Sequence, residues 1–175
     1  MDGLISFSGT KTKINSFKES DITDEYIAWL NDEVVVQFSN QRFLNHTKES
    51  SLKYFNTFQN SDNNFLSIKS TFNNKQIGTL TTYFNKHHNT VDIGILIGDK
   101  NTWGLGFGLD AWMATMNWLM KKKKIRKITA GTLDLNLGMI SIMKKSGMQQ
   151  EAVRSKQEYC NGDYRDILYF SKFND

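Results

Sequence analysis

The spacing of apolar and polar positions changes period several times along the chain, and each change marks an element. Leu4 to Phe17 reads as an N-terminal strand region. It leads into Ser20-Asp21-Ile22-Thr23-Asp24-Glu25, where Asp21 or Ser20 can cap a helix carrying Tyr26, Ile27, Trp29 and Leu30. A second helix starts after His46-Thr47, with Thr47 as cap and Leu52, Phe55 and Phe58 inward. Phe65 to Phe72, Gln76 to Phe84 and Thr90 to Gly98 are short runs rich in Ile, Thr, Tyr and Phe. Asn73-Asn74-Lys75 and Asn85-Lys86-His87-His88-Asn89 divide them, which is the pattern of an antiparallel meander. The period then becomes helical, with Ala111, Met113, Ala114, Met116, Asn117, Trp118 and Met120 on a helix beginning near Phe107. Ile125 to Leu133 reads as a strand, and Leu137 to Lys145 as a helix stopped at Ser146-Gly147, with Gly147 as its C′ residue. Met148 to Tyr159 and Tyr164 to Phe170 are strands joined across Asn161-Gly162-Asp163, a strong hairpin signal. The order is that of an α+β fold.

Composition narrows this to one domain spanning residues 1–175. The chain is 39% hydrophobic, long enough for a substantial core and too short for two ordinary domains; it has no proline, no Gly/Ser-rich linker and no internal repeat. The single cysteine, Cys160, cannot form an intrachain disulfide, and the N-terminus lacks a basic-then-apolar signal pattern, so a cytoplasmic setting is expected. No apolar run approaches the roughly 20 residues of a membrane span. The net charge of +4 draws much of its excess from Lys121 to Lys124, at the end of the long helix, where lysines complement the dipole. That run lies about 20 Å from the helix start at a rise of ~1.5 Å per residue, so it argues neither for nucleic acid nor for a role at the other end.

The helix start itself carries the chemistry. Trp103-Gly104-Leu105-Gly106-Phe107-Gly108-Leu109 sits between the buried-looking strand Val91 to Gly98 and the helix. Alternate glycines let main chain approach a ligand closely, and a helix N-terminus aims unpaired N–H groups and a positive dipole end at an anion. Phosphate or pyrophosphate is the natural guest. The glycine spacing and the preceding meander do not fit a dinucleotide-binding βαβ fingerprint, and no Gly-Lys followed by Ser or Thr is present to make a P-loop.

Strand, then Trp103-Gly104-Leu105-Gly106-Phe107-Gly108, then helix, resembles the pyrophosphate-binding motif of the GNAT superfamily of N-acetyltransferases, in particular its tryptophan-led branch. Asn136 with Lys145-Ser146-Gly147-Met148 resembles a second family segment. Trp29 to Val34, Gln41 to Thr47 and Asp92 to Gly98 are similar to segments of bacterial acetyltransferases acting on nucleotide-linked amino sugars for surface polysaccharides. The resemblance implies a single mixed sheet with splayed central strands flanked by helices, and acetyl-CoA or another short acyl-CoA as co-substrate. Pantetheine would pair with Leu96, Ile97 and Gly98, a main-chain N–H at Leu96 or Ile97 would polarise the thioester carbonyl, the N–H groups from Gly104 to Leu109 would hold the pyrophosphate, and Asn136 would meet the cofactor or tie its loop.

Attack requires a neutral amine, so a base belongs near the cleft; Asp92 and His46 are the candidates. Arg42 beside Phe43 offers a fork of donors and a stacking face to a nucleotide acceptor. His46, Asn31 and Tyr83 complete the expected acceptor set. His87-His88 has no Cys or carboxylate at ligand spacing, and no metal is expected. Two departures from the family pattern stand out. Met143 occupies the position of a tyrosine that protonates the leaving thiolate in many members, leaving Ser141 or water for that task, and Leu105 replaces a basic residue of the motif. The expected activity is acyl transfer, acetyl first, to the amine of a nucleotide-linked amino sugar by direct attack. Acetylation of a protein N-terminus and a CoA-binding protein without turnover are the alternatives; neither nucleic acid nor membrane insertion is expected, and a homodimer is left open.

Overall fold

The computed structural model describes residues 4–174. Among them, eight strands form one mixed sheet in the order β1-β2-β3-β4-β5-β6-β8-β7. β1 (Ser6–Ser8) and β2 (Thr12–Ser16) form a hairpin at one edge; β3 (Asn64–Ser70), β4 (Gln76–Asn85) and β5 (Thr90–Ile97) are the meander. β5 then pairs in parallel with β6 (Lys127–Leu133), and the hairpin of β7 (Gln149–Cys160) and β8 (Asp163–Phe173) closes the other edge. Asn161 and Gly162 both have positive φ (54° and 83°), the geometry of the two-residue turn read from Asn-Gly.

Helices cover both faces, as alternation along the strands requires. α4 (Phe107–Asn117) and α5 (Leu137–Lys145) lie on one. Trp112, Met116 and Leu119 pack with Val91, Ile93, Ile128, Ala130 and Met143, while Phe107 and Ala111 pack with Ile14, Leu66, Ile68 and Leu80. On the opposite face α1 (Asp24–Leu30) and α3 (Lys48–Gln59) bury Tyr26, Trp29, Leu30 and Phe58 against Phe17 and Phe65. Lys121 to Lys124 are exposed at the far end of α4.

Several expected boundaries shift, each for a local reason. Asp21 spends its carboxylate on the Lys18 N–H (3.0 Å) and on Lys69 (3.2 Å), closing a 3-10 turn, so the cap of α1 falls to Thr23, which accepts from Tyr26 N–H at 3.1 Å. α4 runs on into a π turn, Trp118–Lys122, and Ile125 N–H is used on Leu119 C=O, so β6 starts at Lys127 instead of Ile125. The expected N-terminal strand region breaks into the β1–β2 hairpin. A short helix, α2 (Glu33–Val36), capped by Asp32, and a 3-10 turn, Asn40–Phe43, fill a stretch to which the sequence pattern assigns no element.

Candidate active site

The parallel pair at the centre of the sheet is incomplete. β5 and β6 are in register only from Thr90↔Lys127 to Asp92↔Thr129. Past that point β5 continues on β4 as far as Ile97, and β6 continues on β8 as far as Leu133, so the two facing edges diverge without ladder partners. A cavity of about 650 Å³ opens between them. Gly98 N–H donates to Ile77 C=O at 2.9 Å, and alternation along the β4–β5 pair therefore turns the main-chain N–H and C=O of Leu96 towards β4 and those of Ile95 and Ile97 towards the open edge, so of the two expected thioester donors the Ile97 N–H is the one that faces the opening. Ile97 C=O is taken by the Trp103 indole N–H at 2.9 Å, which folds the loop back over the strand end.

The loop spends the N–H groups of Thr102, Trp103 and Leu105 on its own turns, and then delivers the start of α4 with its backbone donors unspent. Gly104 and Gly106 have φ of +72° and +85°, conformations that side chains with a Cβ resist. Among the described residues, no side chain caps α4, and the N–H groups of Gly106, Phe107, Gly108 and Leu109 have no acceptor; Asp110 is the first paired one, to Gly106 C=O at 3.0 Å. A Cβ built on Gly104 would meet nothing, and one on Gly106 only Lys11 Nζ at 3.7 Å. Four free donors, a helix dipole and open space together suit a phosphate or pyrophosphate group. A Cβ on Gly108, by contrast, would stand 3.2 Å from Ile142 and 3.5 Å from Ile97, so the glycine lets α4 sit close to α5 beside the cleft.

Asp110, in the first turn of α4, fixes this arrangement to the edge hairpin. Its carboxylate accepts from the N–H groups of Thr10, Lys11 and Thr12 (2.9, 3.0 and 2.9 Å) and the hydroxyls of Thr10 and Thr12 (both 2.7 Å). Burial alone would raise Asp110, but these donors outweigh it and hold the carboxyl below its usual range.

Asp92 stands at the vertex, in the last register pair before the strands part. Thr129 Oγ1 donates to it across the vertex at 2.7 Å. Desolvation pushes Asp92 above the ordinary carboxylate range, and the Thr129 bond offsets only part of this. Tyr83 is its register partner on β4, and its hydroxyl lies 3.0 Å from that of Tyr54. Burial first, then Tyr83, raises Tyr54 beyond the usual phenol range, so the Tyr54 hydroxyl stays protonated.

Most of the remaining expected residues divide into two groups; Gly98 sits where a Cβ would strike the Trp29 ring, Leu105 is exposed, Phe107 is buried in the core, and none of these three lines the cleft. Leu96, Ile97, Trp103, Gly104, Gly106, Gly108, Leu109 and Asn136 line the cleft. Asn136 caps α5 through Met139 N–H (3.1 Å) and holds Thr132 Oγ1 (3.1 Å), tying the end of β6 to the helix. Met143 is fully buried in the core, while Ser141 lines the cleft. Asn31, Arg42 and Phe43 line a separate cavity of about 460 Å³ beside the β7–β8 turn. There Asn31 clamps the main chain of His46 (2.8 and 2.9 Å), and His46 Nε2 lies 3.3 Å from Gln41 C=O. Arg42 donates to Tyr159 C=O (2.8 Å), faces Glu158 at 3.8 Å and stacks on Phe43 at 4.3 Å. Arg42 Nη1 is buried without a partner.

Two contributors escape a reading of the sequence. α2 and the chain after it bring Val34, Val35, Phe38 and Ser39 to the cleft mouth, and β6 brings Ala130 to Thr132. Asp32 ahead of an apolar triplet was the available signal for the first, since its carboxylate caps α2 through Val34 N–H at 2.9 Å. Among the described residues no three His, Cys, Asp or Glu side chains are grouped to hold a metal, and no helix is long and apolar enough to cross a membrane.

Comparison with known proteins places this geometry. A family model described as an acetyltransferase (GNAT) domain matches residues 12–149. No curated protein matches the sequence. Among solved structures, a GNAT-family acetyltransferase from Bacillus anthracis superposes with a TM-score of 0.83 at 18% identity, covering 97% of this chain and 99% of that one. A ribosomal-protein α-N-acetyltransferase in complex with coenzyme A gives 0.84 at 18%, covering 98% and 99%. A spermidine N-acetyltransferase from Vibrio cholerae, in complex with CoA and spermine, gives 0.85 at 12%, covering 94% and 96%. Identities this low establish the common fold.

Proposed function

The chain belongs to the GNAT acetyltransferase domain family and is an acyl-CoA-dependent N-acetyltransferase; from that premise we propose that it acetylates a primary amine by direct attack, with Asp92 as the base. The observation that carries this is the parting of β5 and β6 just past Asp92, which opens the cleft that runs to the uncapped start of α4. Acetyl-CoA would supply the thioester and the acetyl group. The N–H groups from Gly106 to Leu109 bind its pyrophosphate, and Ile95 and Ile97 offer main-chain groups to the pantetheine and to the thioester carbonyl. Asp92, with its raised pKa, takes a proton from the incoming ammonium, directly or through water. Ser141 is one of the hydroxyls on the cleft wall that could protonate the departing thiol, whose solution pKa of ~8.5 makes it a fair leaving group unaided.

For the acceptor, a nucleotide-linked amino sugar is supported by Arg42 Nη1, a buried donor in want of an acceptor, and by the exposed ring of Phe43. A polypeptide N-terminus is supported by Glu33 on the same cavity wall and by Glu158 facing Arg42, which leave that region without excess positive charge. Thiol release with acetyl-CoA, assayed over a panel of amino-sugar nucleotides and N-terminal peptides, decides between them. Acetyl-CoA at 100 times its Kd should add about 2.7 kcal/mol of thermal stability; no shift with any acyl-CoA would sink the reading.

A further inference from the structure

We propose that Lys11 is the cation of the pyrophosphate site, delivered to the glycine segment by the β1–β2 hairpin. The proposal rests on the acyl-CoA reading and answers a gap in it, since Leu105 leaves the glycine segment, Trp103 to Leu109, without a basic side chain of its own. Lys11 Nζ donates to Leu105 C=O at 2.7 Å and lies 5.8 Å from the centre of the Phe107 ring. It is also the one atom within 4 Å of the point where a Gly106 side chain would begin. An ammonium carries three donors, and Leu105 uses one of them. The others are within reach of an anion on the free N–H groups of Gly106 to Leu109.

The placement is built into the fold. A lysine stem is flexible and would lose much rotamer freedom on its own, yet here its backbone is held from both sides. Asp110 binds the N–H of Lys11 itself, together with the N–H and hydroxyl of Thr10 and of Thr12. Gly9 allows that approach: a Cβ there would stand 2.2 Å from Asp110 Oδ2. The same grip solves an electrostatic problem. A carboxylate in the first turn of α4 favours the helix but opposes a phosphate beside it. The hairpin surrounds Asp110 with five donors and sets the Lys11 ammonium on Leu105 C=O of the glycine segment, while Lys145 lines the cleft from the α5 side.

Calorimetric titration with CoA and with dephospho-CoA, which lacks the 3′-phosphate, tests the assignment on wild type, Lys11→Met and Lys11→Arg. Lys11→Met keeps the stem and loses the charge, and should weaken both ligands about 10-fold, the scale of one charge-assisted hydrogen bond. Lys11→Arg should recover most of that loss, and raising salt should narrow the gap between wild type and Lys11→Met. Unchanged affinities in a folded Lys11→Met protein would overturn the proposal. So would a loss confined to CoA, which would move the contact to the 3′-phosphate. Wild type that binds neither ligand would instead overturn the underlying acyl-CoA reading.

Discussion

The two ends of the molecule's working surface are built on opposite plans. At the start of α4 the donors are main-chain N–H groups left without acceptors, held open by glycines at positive φ. Around Asn31, Arg42 and His46 the polar groups have largely found one another: Asn31 holds His46, His46 meets Gln41, and Arg42 holds the β7–β8 turn while stacking on Phe43. The first is a site preorganised before any ligand arrives, and a ligand there displaces only water. The second must exchange partners to bind anything, so its contribution is shape first and hydrogen bonding second. Asp92 lines neither cavity and stands in the last register pair of β5 and β6, at the point where the strands part.

The largest effect is expected at that vertex. Asp92→Asn keeps the Thr129 contact and the shape but cannot take a proton, and kcat should fall by roughly 10²–10⁴-fold with little change in affinity for acetyl-CoA. The pH dependence follows from the sign of the shift. Burial raises the Asp92 pKa, so the ionised base is lost as pH falls through a value above the ordinary carboxylate range, and the wild-type rate should show an acidic limb there. A pH–rate profile of Asp92→Asn lacking that limb is the expected result. The same limb in the variant would remove Asp92 from the chemistry.

Next in size is the preorganised end. Gly106→Val places a branched side chain at φ +85° and over the free N–H groups of the loop. Affinity for CoA should fall about 100-fold, combining backbone strain of ~1–3 kcal/mol with loss of charge-assisted bonds to phosphate. Titration of CoA into the folded variant checks this. A loss of less than threefold would mean that the loop donors do not carry the binding, and the contrast between the two ends would collapse.

This contrast also explains what could be read from the chain. A backbone site leaves its mark in residue type, because glycine best tolerates the conformations at Gly104 and Gly106; the strand–glycine–helix order therefore pointed to a segment whose N–H groups are open in the structure. The meander, α3 with its Thr47 cap, the Asn161-Gly162 turn and the C′ role of Gly147 were legible for the same reason, each depending on neighbours a few residues away. Asp92 could be named from the strand, but its place at the vertex depends on a register with β6 that no local pattern encodes. The grip of the hairpin on Asp110 spans about a hundred positions, and nothing in the spacing of Gly9 to Thr12 announces it. Arg42 and Phe43 read as a phosphate fork and a stacking face; which partners a surface arginine takes is decided by tertiary contacts, here those with Tyr159, Glu158 and Phe43 itself.

The smallest predicted effect is the most direct probe of the engaged end. Arg42→Met removes a charge-assisted bond to Tyr159 C=O and a guanidinium stacked on Phe43, while keeping an apolar stem of similar reach. Those contacts join the 3-10 turn to the β7–β8 hairpin, so stability should fall by about 1–2 kcal/mol, read as a lower midpoint in denaturant. The pair with Glu158 adds little to this, since the groups stand 3.8 Å apart and the carboxylate keeps some solvent. Affinity for CoA should not move, because Arg42 is not among the residues that line the cleft. The acceptor KM should rise less than threefold if Arg42 only braces the cavity. A tenfold rise in KM at unchanged stability would mean the opposite: that Nη1 is a waiting donor for the acceptor, and that this end too is set before its ligand arrives.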